Sequence, residues 1–171
     1  RDQGNSGVCG TQQEIICRST HQARRTMTDD LLEAYQRSTY WVLKSVPLAL
    51  HVDIPNEAVG HWLGENLAGK AAFLTPCNPR SEPLTTAVNA GLMEQAQATL
   101  QAMGLTCAQG VSMGAEGRWC EPGMLVWPLS FQTAMDLARE WQQNAFIWLD
   151  DVWTPRLVMT DTGTRLDASL P

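Results

Sequence analysis

Two long stretches of the chain repeat apolar residues with the period of an α-helix. Between residues 85 and 103 the apolar positions are Val88, Leu92, Ala96, Leu100 and Met103. After Ser130, a residue type favoured at helix N-caps, the same spacing recurs at Phe131, Ala134, Ala138 and Trp141. The intervening positions are mostly polar, so the pattern predicts two helices that each bury one face.

Short apolar runs flank these helices and predict strands. The runs cover residues 70–77, 105–111, 123–127 and 145–149. The predicted order from residue 70 is therefore β-α-β-β-α-β, the split β-α-β or ferredoxin-like arrangement. We expect an α+β fold with an antiparallel sheet and both helices on one of its faces. A short α/β unit with a mixed sheet is the alternative.

Shorter elements extend this core at both ends. The sequence predicts a helix near residues 28–36, a strand near 40–43 and a helix near 57–68. Residues 156–160 are predicted to pair back as a hairpin with the last strand. We therefore expect N-terminal helix and strand additions to a four-stranded ferredoxin-like sheet.

The predicted topology brings three connections to one end of the sheet. These connections are residues 78–84, 112–122 and 143–145, and polar or aromatic residues lie in or beside all three. We call this set the rim; it comprises Asn78, Arg80, Ser81, Asn89, Arg118, Trp119, Glu121, Gln143 and Asn144. Residues that are distant in sequence are thus predicted to share one candidate site.

Composition narrows the classes of function. The 171 residues are 44% hydrophobic and carry a formal net charge of −6, as expected of one compact acidic domain. No apolar run reaches the ~20 residues that a membrane-spanning helix needs. An acidic chain without a Lys/Arg cluster in its folded part disfavours nucleic acids and anionic membranes as partners.

Residues 1–26 differ from the rest of the chain. They are polar, lack periodicity and hold four Arg against two acidic residues. We interpret them as a flexible extension or non-native leader, with a basic targeting or partner-binding arm as the alternative. A single α+β domain is expected over residues 27–162, beginning at Met27, and a loose tail over residues 163–171.

The cysteines indicate a reducing compartment. The count of five is odd, no CxxC pair occurs, and the three histidines have no ligand partners at metal-site spacing. We therefore expect no disulfide framework, no structural metal and no cofactor, and a cytoplasmic location. Cys77 lies in an apolar strand run, where a thiol is normally inert, so a nucleophilic role for it is disfavoured.

Several segments together resemble a known family. They are YQRSTY at 35–40, AFLTPCNPRS at 72–81, Asn89, WCEP at 119–122 and QNAFIW at 143–148. The combination resembles the bacterial domain-of-unknown-function 3293 family over about residues 28–160. Where that family's strand usually reads T-A-x-N-P-x-S, this chain has Pro76 in place of Ala. The resemblance supports a start at Met27 and implies a small cytoplasmic bacterial protein whose family has no established activity.

Each rim residue has a structural and a functional interpretation. Asn78, Arg80 and Ser81 follow a strand and precede a helix, where they form either a turn or a ligand contact. Asn89 is expected to brace that loop, because a buried amide needs partners for both its oxygen and its nitrogen. Gln143 braces or binds.

Glu121 is the residue with the clearest chemical potential in the rim. Beside Trp119 its carboxyl group could be desolvated and act as an acid or base. The structural alternative is a bond to loop N–H groups or an ion pair with Arg80 or Arg118. Trp119 itself is expected to be partly exposed.

The leading hypothesis is a small binding or interaction module. Its rim would contact a small polar ligand or a partner protein through Asn78, Arg80, Ser81, Asn89, Trp119, Glu121 and Gln143. The alternative is a small enzyme with Glu121 as general acid/base at the same rim. An ion pair between Glu121 and an Arg would contradict the enzyme. A third class is protein interaction, including a homodimer, through the sheet edges or the acidic surface.

Overall fold

The computed structural model describes residues 29–161 and the backbone of residues 165–166. The predicted extension at residues 1–26 lies outside this range. The sheet and the rim lie within one compact unit, which begins at Tyr35. Of the predicted tail, Arg165–Leu166 form a short strand, and the other residues lie outside the described range.

Strands and helices follow one another in a mixed α+β order. The strands are β1 Thr39–Val42, β2 Leu48–His51, β3 Ala71–Leu74, β4 Thr106–Met113, β5 Cys120–Trp127, β6 Ala145–Leu149, β7 Pro155–Met159 and β8 Arg165–Leu166. The helices are α1 29–37, α2 Glu57–Leu63, α3 Thr86–Ala102 and α4 Phe131–Glu140. Single 3₁₀ turns cover Glu65–Leu67 and Pro79–Ser81.

All eight strands form one curled sheet in the order β2-β1-β4-β5-β3-β6-β7-β8. Every pair of neighbours is antiparallel, which confirms the α+β class and contradicts the mixed-sheet alternative. The sheet is larger than the expected four-stranded ferredoxin-like sheet, because it has eight strands. Strands β4, β5, β3 and β6 are adjacent at the centre, and β2 and β8 had no prediction.

Helices α3 and α4 pack on the same face of the sheet. Ala96 and Leu100 of α3 and Ala134 and Ala138 of α4 share one buried cluster with strand residues such as Ala72. Thr85 and Ser130 cap the two helices, each accepting a hydrogen bond from a backbone N–H three residues on.

Several predicted boundaries are wrong at element ends. Val88 and Met103, predicted as part of the α3 stripe, are 49% and 47% exposed, and the buried positions of α3 are Asn89, Ala96 and Leu100. Helix α2 ends at Leu63 instead of residue 68, since Gly64 adopts a φ of 98°. Strand β3 ends at Leu74 because Asn78 turns the chain through a left-handed conformation.

On the opposite face of the sheet, side chains and backbone pack around Phe73 of β3. Its ring lies edge-on to Tyr40, with ring centroids 5.5 Å apart. It also covers Gly110 and Gly123, which are directly paired in the β4–β5 ladder. Glycine at both positions lets the ring reach the backbone of two neighbouring strands. This packing brings Tyr40 on β1 close to the rim end of β5.

Adding a methyl group at Gly110 is expected to destabilise the protein. An alanine Cβ there would overlap the Phe73 ring and lie 2.5 Å from the carbonyl oxygen of Trp41. Because a strand backbone cannot retreat as a side-chain tip can, Gly110→Ala should cost about 2–3 kcal/mol in a urea titration.

Gly91→Ala is the matched control for that substitution. Gly91 lies within α3 and has no atom within 4 Å of the added Cβ. Alanine there should raise the free energy of unfolding by about 0.5–1 kcal/mol. Equal effects of Gly110→Ala and Gly91→Ala would contradict the close packing of Phe73.

Candidate functional site

Asn78 and Asn89 form a reciprocal amide pair at the rim. The Asn78 N–H donates to Asn89 Oδ1 at 3.1 Å, and Asn89 Nδ2 donates to Asn78 Oδ1 at 2.9 Å. Asn78 Oδ1 also accepts from the N–H of Leu84 at 2.9 Å. Both asparagines are buried. The pair therefore fastens the segment after β3 to the first turns of α3, as predicted for Asn89.

The remaining donor of Asn78 points at Glu121. Asn78 Nδ2 donates to Glu121 Oε1 at 2.8 Å, and this hydrogen bond joins residues 43 positions apart. Glu121 lies near the start of β5, paired with Ser112 of β4, which in turn pairs with Tyr40 of β1. Pairing across the sheet places Tyr40, Ser112 and Glu121 on the face that also carries Phe73.

Glu121 is 8% exposed and has no cationic partner within the described part of the chain. The ion pair with Arg80 or Arg118, one of the structural alternatives for Glu121, does not form. Arg118 instead pairs with Glu116 at the exposed tip of the β4–β5 hairpin. No fully buried side-chain oxygen or nitrogen of the described residues lacks a partner. Since Asn78 bonds only Oε1, the second carboxylate oxygen, Oε2, keeps contact with solvent.

Burial without a counter-charge makes Glu121 a weak acid. Desolvation raises its pKa from 4.5 to about 7, against a smaller lowering by the hydrogen bond from Asn78. At neutral pH the carboxyl group therefore interconverts between its protonated and ionised forms. This is the range in which a general acid/base or a proton-linked binding group works.

The titratable groups around Glu121 are neutral at physiological pH. Burial raises the pKa of Tyr35 and of Tyr40, and the negative charge of Glu121 raises both further. Desolvation likewise raises the pKa of the Cys77 thiol to about 11. A thiol with that pKa is a poor nucleophile at neutral pH.

The segment from Asn78 to Ser81 is strained. Asn78, Arg80 and Ser81 have φ angles of 46°, 57° and 60°, left-handed conformations that non-glycine residues rarely adopt. Backbone bonds hold them: the Arg80 N–H donates to the Gln142 carbonyl at 2.8 Å, and the Ser81 N–H donates to the Asn78 carbonyl at 2.8 Å. Strain that the surrounding contacts enforce is typical of functional loops.

Ser81 lies in a second polar group, beside the amide pair. Its Oγ is 2.8 Å from the Tyr35 hydroxyl and accepts from Asn144 Nδ2 at 3.1 Å. The Tyr40 hydroxyl donates to the Tyr35 carbonyl at 3.0 Å. Ser81 thus connects helix α1 with the start of β6.

Gln143 acts as a brace behind the rim. Its Nε2 donates to the Cys77 carbonyl at 2.8 Å, and its own carbonyl accepts from Thr160 Oγ1 at 2.5 Å. The Gln143 side chain is buried. Gln143 was predicted either to brace the rim or to bind a ligand, and these contacts show that it braces the rim.

Three predicted rim residues, Arg80, Arg118 and Trp119, stand apart from the hydrogen-bond network around Asn78 and Glu121. Arg80 is exposed. Trp119 is 37% exposed at the end of the β4–β5 hairpin, and its Cβ faces Gly114. The structure therefore leaves these three residues at the surface. It brings together the other six, which are Asn78, Ser81, Asn89, Glu121, Gln143 and Asn144.

Sequence reasoning missed three residues of the rim. Tyr35 and Tyr40 supply the hydroxyl groups next to Glu121 and Ser81, and Thr160 fixes Gln143 and Asn144. Both tyrosines lie in the segment YQRSTY, which is one of the segments that resemble the family. That resemblance was the sequence signal that could have identified them.

The described residues were also compared with the patterns of metal sites, membrane-spanning helices and cavities. Among the described residues, no three His, Cys, Asp or Glu side chains gather as a metal site. No helix within the same residues is long and apolar enough to cross a membrane. A cavity of about 520 Å³ between Lys70, Phe131, Trp148 and Asp151 contains no rim residue.

Comparison with known proteins gives one match. The family described as "Protein of unknown function (DUF3293)" matches residues 74–146 and confirms the predicted resemblance. The matched range is shorter than the predicted 28–160, but it includes all nine residues of the predicted rim, from Asn78 to Asn144. No curated protein and no solved structure matches the chain.

Proposed function

We propose that this chain, which resembles the DUF3293 family over the range that carries the rim, is a small binding module. Its ligand is a small polar molecule that contacts the free oxygen of Glu121. Alternatively, a polar group of a partner protein makes the same contact with Glu121. Asn78, Ser81 and Asn89 hold the site in shape, and Arg80 and Trp119 border it at the surface.

One observation carries this proposal. Glu121 is buried next to neutral amides and hydroxyl groups, yet one of its two carboxylate oxygens has no protein partner among the described residues. A carboxylate with a purely structural role normally has its remaining acceptor sites filled by N–H groups or an arginine. The open acceptor, surrounded by a rigid network, is typical of a group that awaits a ligand.

A ligand screen with two matched variants tests the binding function. The full chain is heated with a broad set of small polar metabolites, beside Glu121→Gln and the surface control Glu140→Gln. A true ligand at 100 times its Kd should add about 2.7 kcal/mol, a rise in Tm of roughly 5–10 °C. The shift should persist in Glu140→Gln and fall in Glu121→Gln. Ligands that shift all three proteins equally would contradict binding at the rim.

A second candidate is an enzyme that uses Glu121 as general acid/base. The observation in its favour is a pKa of about 7 without an ion pair, which suits proton transfer at neutral pH. Cys77 and Ser81 are poor nucleophile candidates, since the thiol stays protonated and the hydroxyl has tyrosine and amide partners. Conversion of a screened ligand, lost in Glu121→Gln while binding persists, would favour the enzyme.

Three finer features complete the proposal. We take strands β3 to β6 with α3 and α4 as a ferredoxin-like core that is extended at both sheet edges. A cytoplasmic location is supported by the free thiols of Cys77, Cys107 and Cys120. Nucleic acids and membranes are poor partners for a chain of net charge −6, whereas a homodimer through a sheet edge is compatible with it.

A further inference from the structure

We infer that the group bound by Glu121 is an organic cation, such as a protonated amine or a guanidinium. This inference rests on the binding function proposed above and specifies the chemistry of the ligand. It follows from the geometry around the carboxylate: one hydrogen bond from a neutral amide, partial contact with solvent, and no ion pair with any residue that the structure describes.

The side chains that face Glu121 come from several elements, and none is cationic. Within the described part of the chain they are Tyr35, Tyr40 of β1, Cys77 and Asn78 after β3, and Ser112 of β4. Tyr35, Tyr40 and Cys77 are titratable, but burial keeps them protonated and neutral. The groups around the carboxylate therefore offer neutral hydrogen-bonding partners and no charge of their own, so an ammonium group bound there would meet no repelling cation.

None of the arginines that the structure describes forms an ion pair with Glu121. Arg118 pairs with Glu116, and Arg139 donates twice to the Thr160 carbonyl, at 3.0 and 3.1 Å. Arg80, in the strained segment, is exposed to solvent. The ionised site thus carries one uncompensated negative charge, which attracts a cation and repels an anion.

The affinity of a cation for this site should depend on pH, because Glu121 gains and loses a proton near neutral pH. A cation binds the ionised carboxylate, so its affinity should rise with pH across the pKa of Glu121. With a pKa of about 7, the ionised fraction rises from about a tenth at pH 6 to about nine tenths at pH 8. The affinity of a cation should therefore rise about tenfold over that range. A neutral ligand of protonated Glu121 would show the opposite dependence.

The test is an NMR titration of the full ¹⁵N-labelled chain, read at the side-chain amide of Asn78. The probes are propylammonium and methylguanidinium, with propionamide and propionate as the neutral and anionic counterparts. We expect the cations alone to shift the Asn78 amide, with about tenfold higher affinity at pH 8 than at pH 6. Glu121→Gln should abolish the shift, and Glu140→Gln should leave it unchanged.

The outcomes separate this inference from the binding function itself. No effect of either cation at Asn78 up to about 100 mM, or equal binding by Glu121→Gln, would overturn the cation assignment. If propionamide or propionate binds at Asn78 instead, the rim is still a binding site and only the charge of its ligand is wrong. If the metabolite screen also gives no ligand at the rim, both proposals fail.

Discussion

Replacing Asn78 with alanine is expected to lower the free energy of unfolding by about 4 kcal/mol. The Asn78 side chain bonds Glu121, Asn89 and the Leu84 N–H, and apart from it Asn89 Nδ2 has only a long contact of 3.5 Å with the Leu84 carbonyl among the described residues. Removing it leaves buried donors and acceptors unpaired, at about 1–3 kcal/mol each. Alanine also resists the left-handed φ of 46°, at a cost of about 1 kcal/mol. Few single substitutions in a domain of this size should cost more.

Urea titration at pH 7 with two further variants separates these contributions. Asn78→Gly accepts the left-handed backbone, so it should lose about 3 kcal/mol from the side-chain network alone. Asn66→Ala replaces an exposed asparagine and should change the free energy by less than about 0.5 kcal/mol. A loss below about 1 kcal/mol in Asn78→Gly would show that the amide network does not hold the rim together.

The second large effect is a pH-dependent gain of stability in Glu121→Gln. The folded protein binds the Glu121 proton more tightly than the unfolded chain, because the pKa rises from 4.5 to about 7 on folding. The stabilising contribution of the protonated group is complete below pH 4.5 and is lost as the pH rises through 7. At about 1.4 kcal/mol per pH unit, the ionised carboxylate costs the folded state about 3 kcal/mol at pH 8.

Glutamine keeps an acceptor for Asn78 Nδ2 but never ionises. The variant should match the parent near pH 4 and exceed its free energy of unfolding by about 3 kcal/mol at pH 8. Urea titrations at pH 4, 6 and 8, with Glu140→Gln beside them, measure the difference. A constant offset between the two proteins at all three values would contradict a buried carboxylate that titrates near neutral pH.

The sequence predicted the central elements because their patterns are long and periodic. Helices α3 and α4 have clear caps at Thr85 and Ser130, and the strands between them are continuous apolar runs. Strand β2 was missed, since Leu48–His51 is four residues long, lies between prolines and has only one buried side chain. Strand β8, with two residues, carries no periodicity at all.

The rim was predictable only as far as topology determines it. Residues at the same end of adjacent strands lie close together. The predicted topology alone therefore places Asn78, Glu121 and Gln143 near one another. The partner of Glu121 was not predictable, because a left-handed turn at Asn78 aims its amide at the carboxylate and leaves Arg80 in solvent. The roles of Tyr35 and Thr160 depend on the angles of α1 and β7, which no sequence pattern encodes.

The pKa of Glu121 tests the central claim most directly. Its side-chain carboxyl carbon can be followed by ¹³C NMR between pH 3 and pH 9 in the full chain, with Glu121→Gln used to assign the resonance. We predict a midpoint near 7 with the Asn78 amide shifting in parallel, as expected of a desolvated carboxylate without a counter-charge. A midpoint at or below 4.5 would mean that the carboxylate is solvated or paired, and the binding site proposed here would not exist.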